Sequence, residues 1–290
     1  MRITGRTAAL FALPAIIIYG MFLLYPAVRG LMMSFTNAQG VVGGHFIGLD
    51  NYRQLLSDQT IRAALVNSVL FTVIIVVVQN TLGLALAYWL HAVPAVRGFV
   101  RPGLLVPAMM STVVVGYVWQ FIYSPLGGPL DLIMGGLGLG RFETVWLGNN
   151  HTALAAIAVA NIWMYLGYST TIFLSNYLAI PNEIFEAAKT DGAGGWQRFR
   201  RVDWHLLGPS LTVNLTISVI GTLRIFELPF VMTGGGPANA TETLNLDIYT
   251  TSFGLFQFGY GTAMAVLLLV LTLAVAWPQV VLLRRREVTY

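Results

Sequence analysis

Glu186-Ala187-Ala188-Lys189-Thr190-Asp191-Gly192-Ala193 is a short polar segment in a chain that otherwise reads as apolar helix. The residues around it decide the fold. The chain has 290 residues, of which 56% are hydrophobic and 10% charged, and its mean hydropathy is +0.72. A soluble globular domain carries about 25% charged residues. So much apolar surface has no place in a water-facing sphere, so the bilayer is the expected solvent. Spanning it takes about 20 mostly apolar residues. Six stretches qualify, at 8–28, 64–90, 102–123, 153–178, 206–226 and 260–283. Backbone in lipid must satisfy its hydrogen bonds internally, which favours helices. Strand spans would be about 10 residues long with period-two alternation, and these runs show neither. The predicted fold class is an all-α polytopic membrane protein, one transmembrane domain over 1–290, with a loop at 181–203 between the fourth and fifth spans. Met1 to Arg6 before an apolar run is similar to a secretory signal peptide. The run continues past Tyr19 and Met21 without a small-x-small cleavage site near Pro26, so a retained first helix is expected.

The basic residues orient the chain. With the N-terminus inside, the inner segments hold Arg2, Arg6, Arg97, Arg101, Lys189, Arg198, Arg200, Arg201, Arg284, Arg285 and Arg286. The outer segments hold Arg29, Arg53, Arg62, Arg141 and Arg224. Lys and Arg accumulate on cytoplasmic loops, so both termini and the Glu186 loop are expected in the cytoplasm, in a cytoplasmic membrane.

Several chemistries are excluded. With no cysteine, the chain has neither a disulfide framework nor a thiolate metal site. His45, His91, His151 and His205 are too scattered for a metal centre. The one lysine, Lys189, follows Ala188 rather than the glycine of a phosphate-binding loop. Any ATP and Mg must therefore be bound by another chain. The glycines from Gly135 to Gly140 follow no strand and do not fit the dinucleotide pattern.

Within the loop, Pro181 and Asn182 signal a helix start, and Glu183 and Glu186 sit where the helix dipole favours acids. Asp191-Gly192 ends the helix, and Trp196 to Val202 reads as a basic, aromatic segment at the membrane surface. An amphipathic connector accounts for these residue types; so does a helix presenting small residues to a groove on a partner. The spacing adds to the second reading. Glu-Ala-Ala, three residues, Gly, nine residues and an apolar Val202 resembles the signature of permease subunits of binding-protein-dependent ABC importers. Asp191 and Ala193 also fit its common form. Trp204 and His205 depart from it, standing where that family has Leu and Pro.

A second stretch, Leu223 to Pro237, is similar to carbohydrate-importing members, of the first-permease type of maltose and glycerol-phosphate systems. It reads Phe226-Glu227, apolar residues, then Thr233-Gly234-Gly235-Gly236-Pro237. Segment order and loop positions extend the resemblance over nearly the whole chain. It implies a six-helix permease without catalytic activity of its own. It also implies a second permease, two ATPase subunits and an extracytoplasmic solute-binding protein; no nucleic-acid partner is expected. It assigns ATPase coupling to Glu186, Ala187, Ala188, Asp191, Gly192 and Ala193. The substrate path falls on Leu166, Gly167, Thr170, Ser218, Gly221, Thr222 and Ile225. The outer face near the binding protein falls on Arg224, Glu227, Gly235, Gly236 and Pro237.

Other residues carry their own readings. Ser218, Thr222 and Ile225 share one helical face, and Asn161 and Trp163 are polar or aromatic candidates on the fourth span. Small and hydroxyl residues also pack membrane helices together. Arg224 and Glu227 are spaced for an i,i+3 ion pair, or are functional charges near the membrane. A secondary transporter would be expected to carry intramembrane acids or histidines, and midplane charges are nearly absent. A membrane enzyme would cluster its acids, and here they are dispersed.

Overall fold

The computed structural model describes residues 5–40, 43–140, 144–285 and 287. Arg2, Arg141 and Arg286 lie outside them. The described residues form helices joined by turns, with one isolated two-residue bridge, Thr36 to Phe46. They divide into two compact units, 1–59 with 247–269 and 60–246 with 270–290.

In the first unit, α1 (Gly5–Tyr19) passes through one π turn into α2 (Tyr25–Met33). Phe11–Met33 is apolar enough to cross a membrane, and none of its window is buried. Such a helix is stable only in lipid or against another protein. The chain then turns back through α3 (Asp50–Ser57). The Asn51 amide donates to the Ser34 and Thr36 carbonyls, both at 2.8 Å, and ties α3 to the end of α2. The Tyr260 hydroxyl donates to Asp58 at 2.8 Å.

The second unit is built around α4 (Gln59–Ala92), α5 (Pro94–Leu105), α6 (Thr112–Ile122), α7 (Pro129–Gly136) and α8 (Ala153–Ala179). Beyond α8 come α9 (Asn182–Thr190), α10 (Gly195–Arg198), a π turn at Phe199–Asp203, α11 (Trp204–Leu206), α12 (Gly208–Leu223) and α13 (Glu227–Thr233). The chain closes with α14 (Leu244–Tyr249) and α15 (Phe258–Arg284). Besides Phe11–Met33, α4, α8 and α15 are each long and apolar enough to span.

The third and fifth predicted stretches are not straight. The third is broken into α5 and α6, which meet at 98°. Pro107 opens a tight turn, and Met110 and Ser111 are extended, with ψ 152° and 135°. The fifth is α12, entered from Gly195–Leu206 at a 71° bend. Pro209, in the first turn of α12, cannot donate to a continued helix.

The centre is α8, with 61% of its window buried. Its first half joins an apolar cluster with Phe71, Ile75, Val115, Leu228 and Met232. Its last turns, Phe173, Leu174 and Tyr177, join a second cluster with Leu84, Leu90, Phe185 and Leu207. Between them runs a polar belt. Gln79 donates to Ser169 at 2.8 Å, Asn80 to Ser218 at 3.3 Å, and Asn214 to the Ser169 carbonyl at 3.2 Å. Such bonds hold membrane helices where no hydrophobic force distinguishes them from lipid.

Gly167 sets the approach of α8 to α5, because a Cβ there would collide with the Leu104 carbonyl. Gly167→Ala must therefore push the two helices apart. Overpacking of this kind costs about 1–3 kcal/mol. The expected result is a lower melting temperature for the purified protein, measured in detergent against Gly221→Ala, where a Cβ meets open space.

Candidate functional site

Two features carry chemistry, at different depths of the second unit. One is α9 and its flanks, at the end of the unit formed by the last turns of α4 and α8. Phe185 and Ala188 are its buried residues, while Glu183, Glu186, Ala187 and Thr190 are exposed. Those four positions follow i, i+3, i+4 and i+7, one continuous face. The two alanines are therefore divided: Ala187 lies on the free face and Ala188 packs inward. Gly192 closes the helix in the left-handed region, φ 75°, and the Ala193 amide donates to the Ala188 carbonyl at 3.0 Å. Only glycine takes that conformation without strain. Asp191 and Ala193 flank this turn rather than the exposed face.

The other feature is a cavity of about 280 Å³ between α4, α8 and α12. From α8 it takes Asn161, Tyr165, Tyr168, Ser169 and Ile172, and from α12 Asn214, Ile217, Ser218, Gly221 and Thr222. Gln79, Thr112, Arg224, Ile225 and Glu227 also line it. The lining thus combines amides, hydroxyls and two tyrosine faces. Amide and hydroxyl groups can both donate to and accept from the hydroxyls of a neutral polyol, and the aromatic rings offer apolar faces.

Four of the seven residues assigned to the path, Ser218, Gly221, Thr222 and Ile225, meet in this cavity. Leu166, Gly167 and Thr170 do not. Each is offset by about 100° around α8 from the lining residue next to it in sequence, Tyr165, Tyr168 or Ser169. Gly167 faces Leu104, and the Thr170 hydroxyl turns back to the Leu166 carbonyl at 2.8 Å. Asn161 lines the cavity, whereas Trp163 stands against Trp119, ring centroids 5.8 Å apart. Gln79, Tyr165, Tyr168, Ser169 and Asn214 escaped the sequence reading. A signal was present, since Asn214 extends the Ser218–Thr222 stripe by one turn and Asn161, Tyr165 and Ser169 repeat every four residues.

Arg224 and Glu227 do not share a helix. Leu223 ends α12, Glu227 opens α13, and Phe226 between them has left the helical region at φ −134°. The i,i+3 spacing therefore has no helical meaning here. Beyond α13, Gly234 is left-handed at φ 59°. The Gly235-Gly236-Pro237 turn is fastened by Thr241, whose hydroxyl donates to the Gly236 carbonyl at 2.7 Å. The Asn67 amide of α4 holds the far side of the same loop through the Asn239 and Glu242 carbonyls, at 2.8 and 3.0 Å. This loop lies at the opposite end of α4 from α9. Among the described residues, no group of three or more His, Cys, Asp or Glu side chains could hold a metal ion.

Comparison with known proteins places this arrangement. The model of the binding-protein-dependent transport system inner membrane component family matches residues 79–288. The trehalose/maltose transport system permease protein MalF of Thermococcus litoralis is 30% identical, over 93% of this chain and 91% of its own. The sn-glycerol-3-phosphate transport system permease protein UgpA of Agrobacterium fabrum is 32% identical, over 91% and 90%. The probable starch degradation products transport system permease protein AmyD of Thermoanaerobacterium thermosulfurigenes is 30% identical, over 96% and 94%. In structure, a chain of a bacterial ABC transporter that imports the acidic polysaccharide alginate superposes with a TM-score of 0.84. It is 22% identical and covers 97% of this chain and 96% of its own, a likeness of fold.

Proposed function

The chain belongs to the binding-protein-dependent transport system inner membrane component family, and on that premise we infer that it is the permease of an ATP-driven ABC importer of carbohydrate or a related polyol. The observation that carries the substrate class is the cavity between α4, α8 and α12, with its amides, hydroxyls and tyrosine rings. The relatives named for sugar and glycerol-phosphate transport support the same class.

In this reading the chain pairs with a second permease in the cytoplasmic membrane, both termini inside. An external binding protein, of the kind present in the alginate transporter complex, delivers substrate at the Gly235–Pro237 end. Two ATPase subunits, which hold ATP and Mg, dock on the exposed face of α9. Their closure and opening swing the permeases between outward-open and inward-open states, so the cavity is exposed alternately. The chain's own groups bind and orient the sugar; none performs bond chemistry.

The test is purification of this chain in mild detergent with identification of what accompanies it. A second six-helix protein and a P-loop ATPase are expected, with uptake in proteoliposomes requiring ATP inside. Recovery of this chain alone, with uptake following an ion gradient, would replace the importer by a secondary transporter.

A further inference from the structure

Behind α9 lies a set of buried and partly buried polar side chains that neither the cavity nor the exposed face of α9 uses. Asp203, at the end of the π turn Phe199–Asp203, is completely buried. Its carboxylate stands 3.6 Å from Arg198 Nε and accepts the Tyr177 hydroxyl at 3.5 Å. The Arg198 guanidinium carbon lies 5.3 Å from the centre of the Phe185 ring and 5.8 Å from that of Tyr88, within cation–π range. The His91 ring stacks on Tyr177 at 5.0 Å and meets Phe185 at 5.1 Å. Four elements therefore converge on one ion pair: the end of α4 with Tyr88 and His91, the end of α8 with Tyr177, α9 with Phe185, and the segment carrying Arg198 and Asp203. Phe185 is the large side chain that α9 buries. The helix cannot shift without moving Phe185 against Arg198 and His91. The same α4 and α8 reach the cavity through Gln79, Tyr165 and Ser169.

The energetics say what the pair is for. Burying two charges costs several kcal/mol per ion and is repaid only by close, well-formed hydrogen bonds. Apolar side chains of similar volume are often as stable or more so. Here repayment is incomplete, because Asp203 is completely buried while its closest approach to Arg198 is 3.6 Å. Charge-assisted N–H···O bonds form at about 2.7–2.9 Å, so a movement of less than about 1 Å would convert this contact into one. An ion pair held just short of its bond has a second, closed arrangement within reach, as a two-state element requires.

We propose that Arg198 and Asp203 are positioning residues that form a transmission latch. It closes when a docked partner presses α9 inward, and it carries that movement to the ends of α4 and α8. The proposal rests on α9 being the ATPase-docking helix.

The deciding experiment compares the whole importer, reconstituted in proteoliposomes, with its Arg198→Met/Asp203→Leu variant. Substrate uptake and ATP hydrolysis are measured on the same vesicles, and subunit composition and melting temperature on the same preparation. A latch predicts an unchanged or higher melting temperature and full ATPase content. It also predicts that substrate carried per ATP falls about tenfold, within the range of coupling between linked sites. An unchanged ratio overturns the latch, and so does loss of the ATPase subunits, which would make the pair part of the docking surface. If the double variant does not accumulate, Asp203→Asn, nearly isosteric, decides by the same ratio. Glu186→Lys runs beside them. If it keeps its ATPase subunits, the docking role of α9 fails, whatever the double variant does.

Discussion

Glu186→Lys is expected to abolish uptake while leaving the protein folded in the membrane. Glu186 is exposed at the centre of the free face of α9, so nothing in the fold depends on its charge. Charge reversal there acts on the partner alone. Truncating one side of a buried interfacial charge pair costs about 2–5 kcal/mol, and the reversed charge adds repulsion. A loss of about 3 kcal/mol is roughly a hundredfold in affinity. The measurement is ATPase subunit retained on the purified variant, together with uptake. Normal uptake and full retention would remove α9 from the docking surface. Gly192→Pro is its backbone counterpart. Proline fixes φ near −65°, whereas this position needs 75°, so the cap of α9 is lost and the free face is no longer presented.

Thr222→Trp is expected to cut uptake at least tenfold, with ATPase docking intact. Thr222 is buried on the cavity-facing side of α12, and its hydroxyl is turned back to the Ser218 carbonyl at 2.7 Å. It makes no hydrogen bond to another helix. An indole at this place would fill much of a cavity of about 280 Å³ and meet Ser218 and Ile225. A tenfold loss is about 1.4 kcal/mol, a modest demand for steric exclusion. Uptake rates at several substrate concentrations, with the subunit composition of the same preparation, separate a blocked cavity from failed assembly. Unchanged transport would take this face of α12 out of the path.

Much of this molecule is legible in the chain because the signals are local. The runs long enough to span follow from residue type, and the Glu186 loop from spacing. The Ser218–Thr222 face follows from helical period, whereas Ile225 lies past the end of α12 at Leu223 and reaches the same cavity from outside the helix. The cavity was only partly legible, because Gln79, Ser169 and Asn214 acquire their meaning from one another across three helices. Gly167 carries the opposite lesson. Resemblance assigned it to the substrate path, yet its missing side chain is used to bring α8 against Leu104. Ala188 looks like its neighbour Ala187 in sequence, and only the rotation of α9 distinguishes inward from outward.

By itself the sequence determined that the chain is a helical membrane protein with one polar loop whose spacing resembles a permease signature, since hydropathy, length and motif spacing are properties of neighbouring residues. The tertiary structure alone decided where the third span breaks, how Arg224, past the end of α12, and Glu227, at the start of α13, come to line one cavity, and how the partly exposed Arg198 comes to face the buried Asp203. In lipid the apolar faces of the helices are nearly equivalent, so their arrangement is set by close approach at small residues and by hydrogen bonds between helices. Those pairings join residues distant in sequence, and no local pattern specifies them.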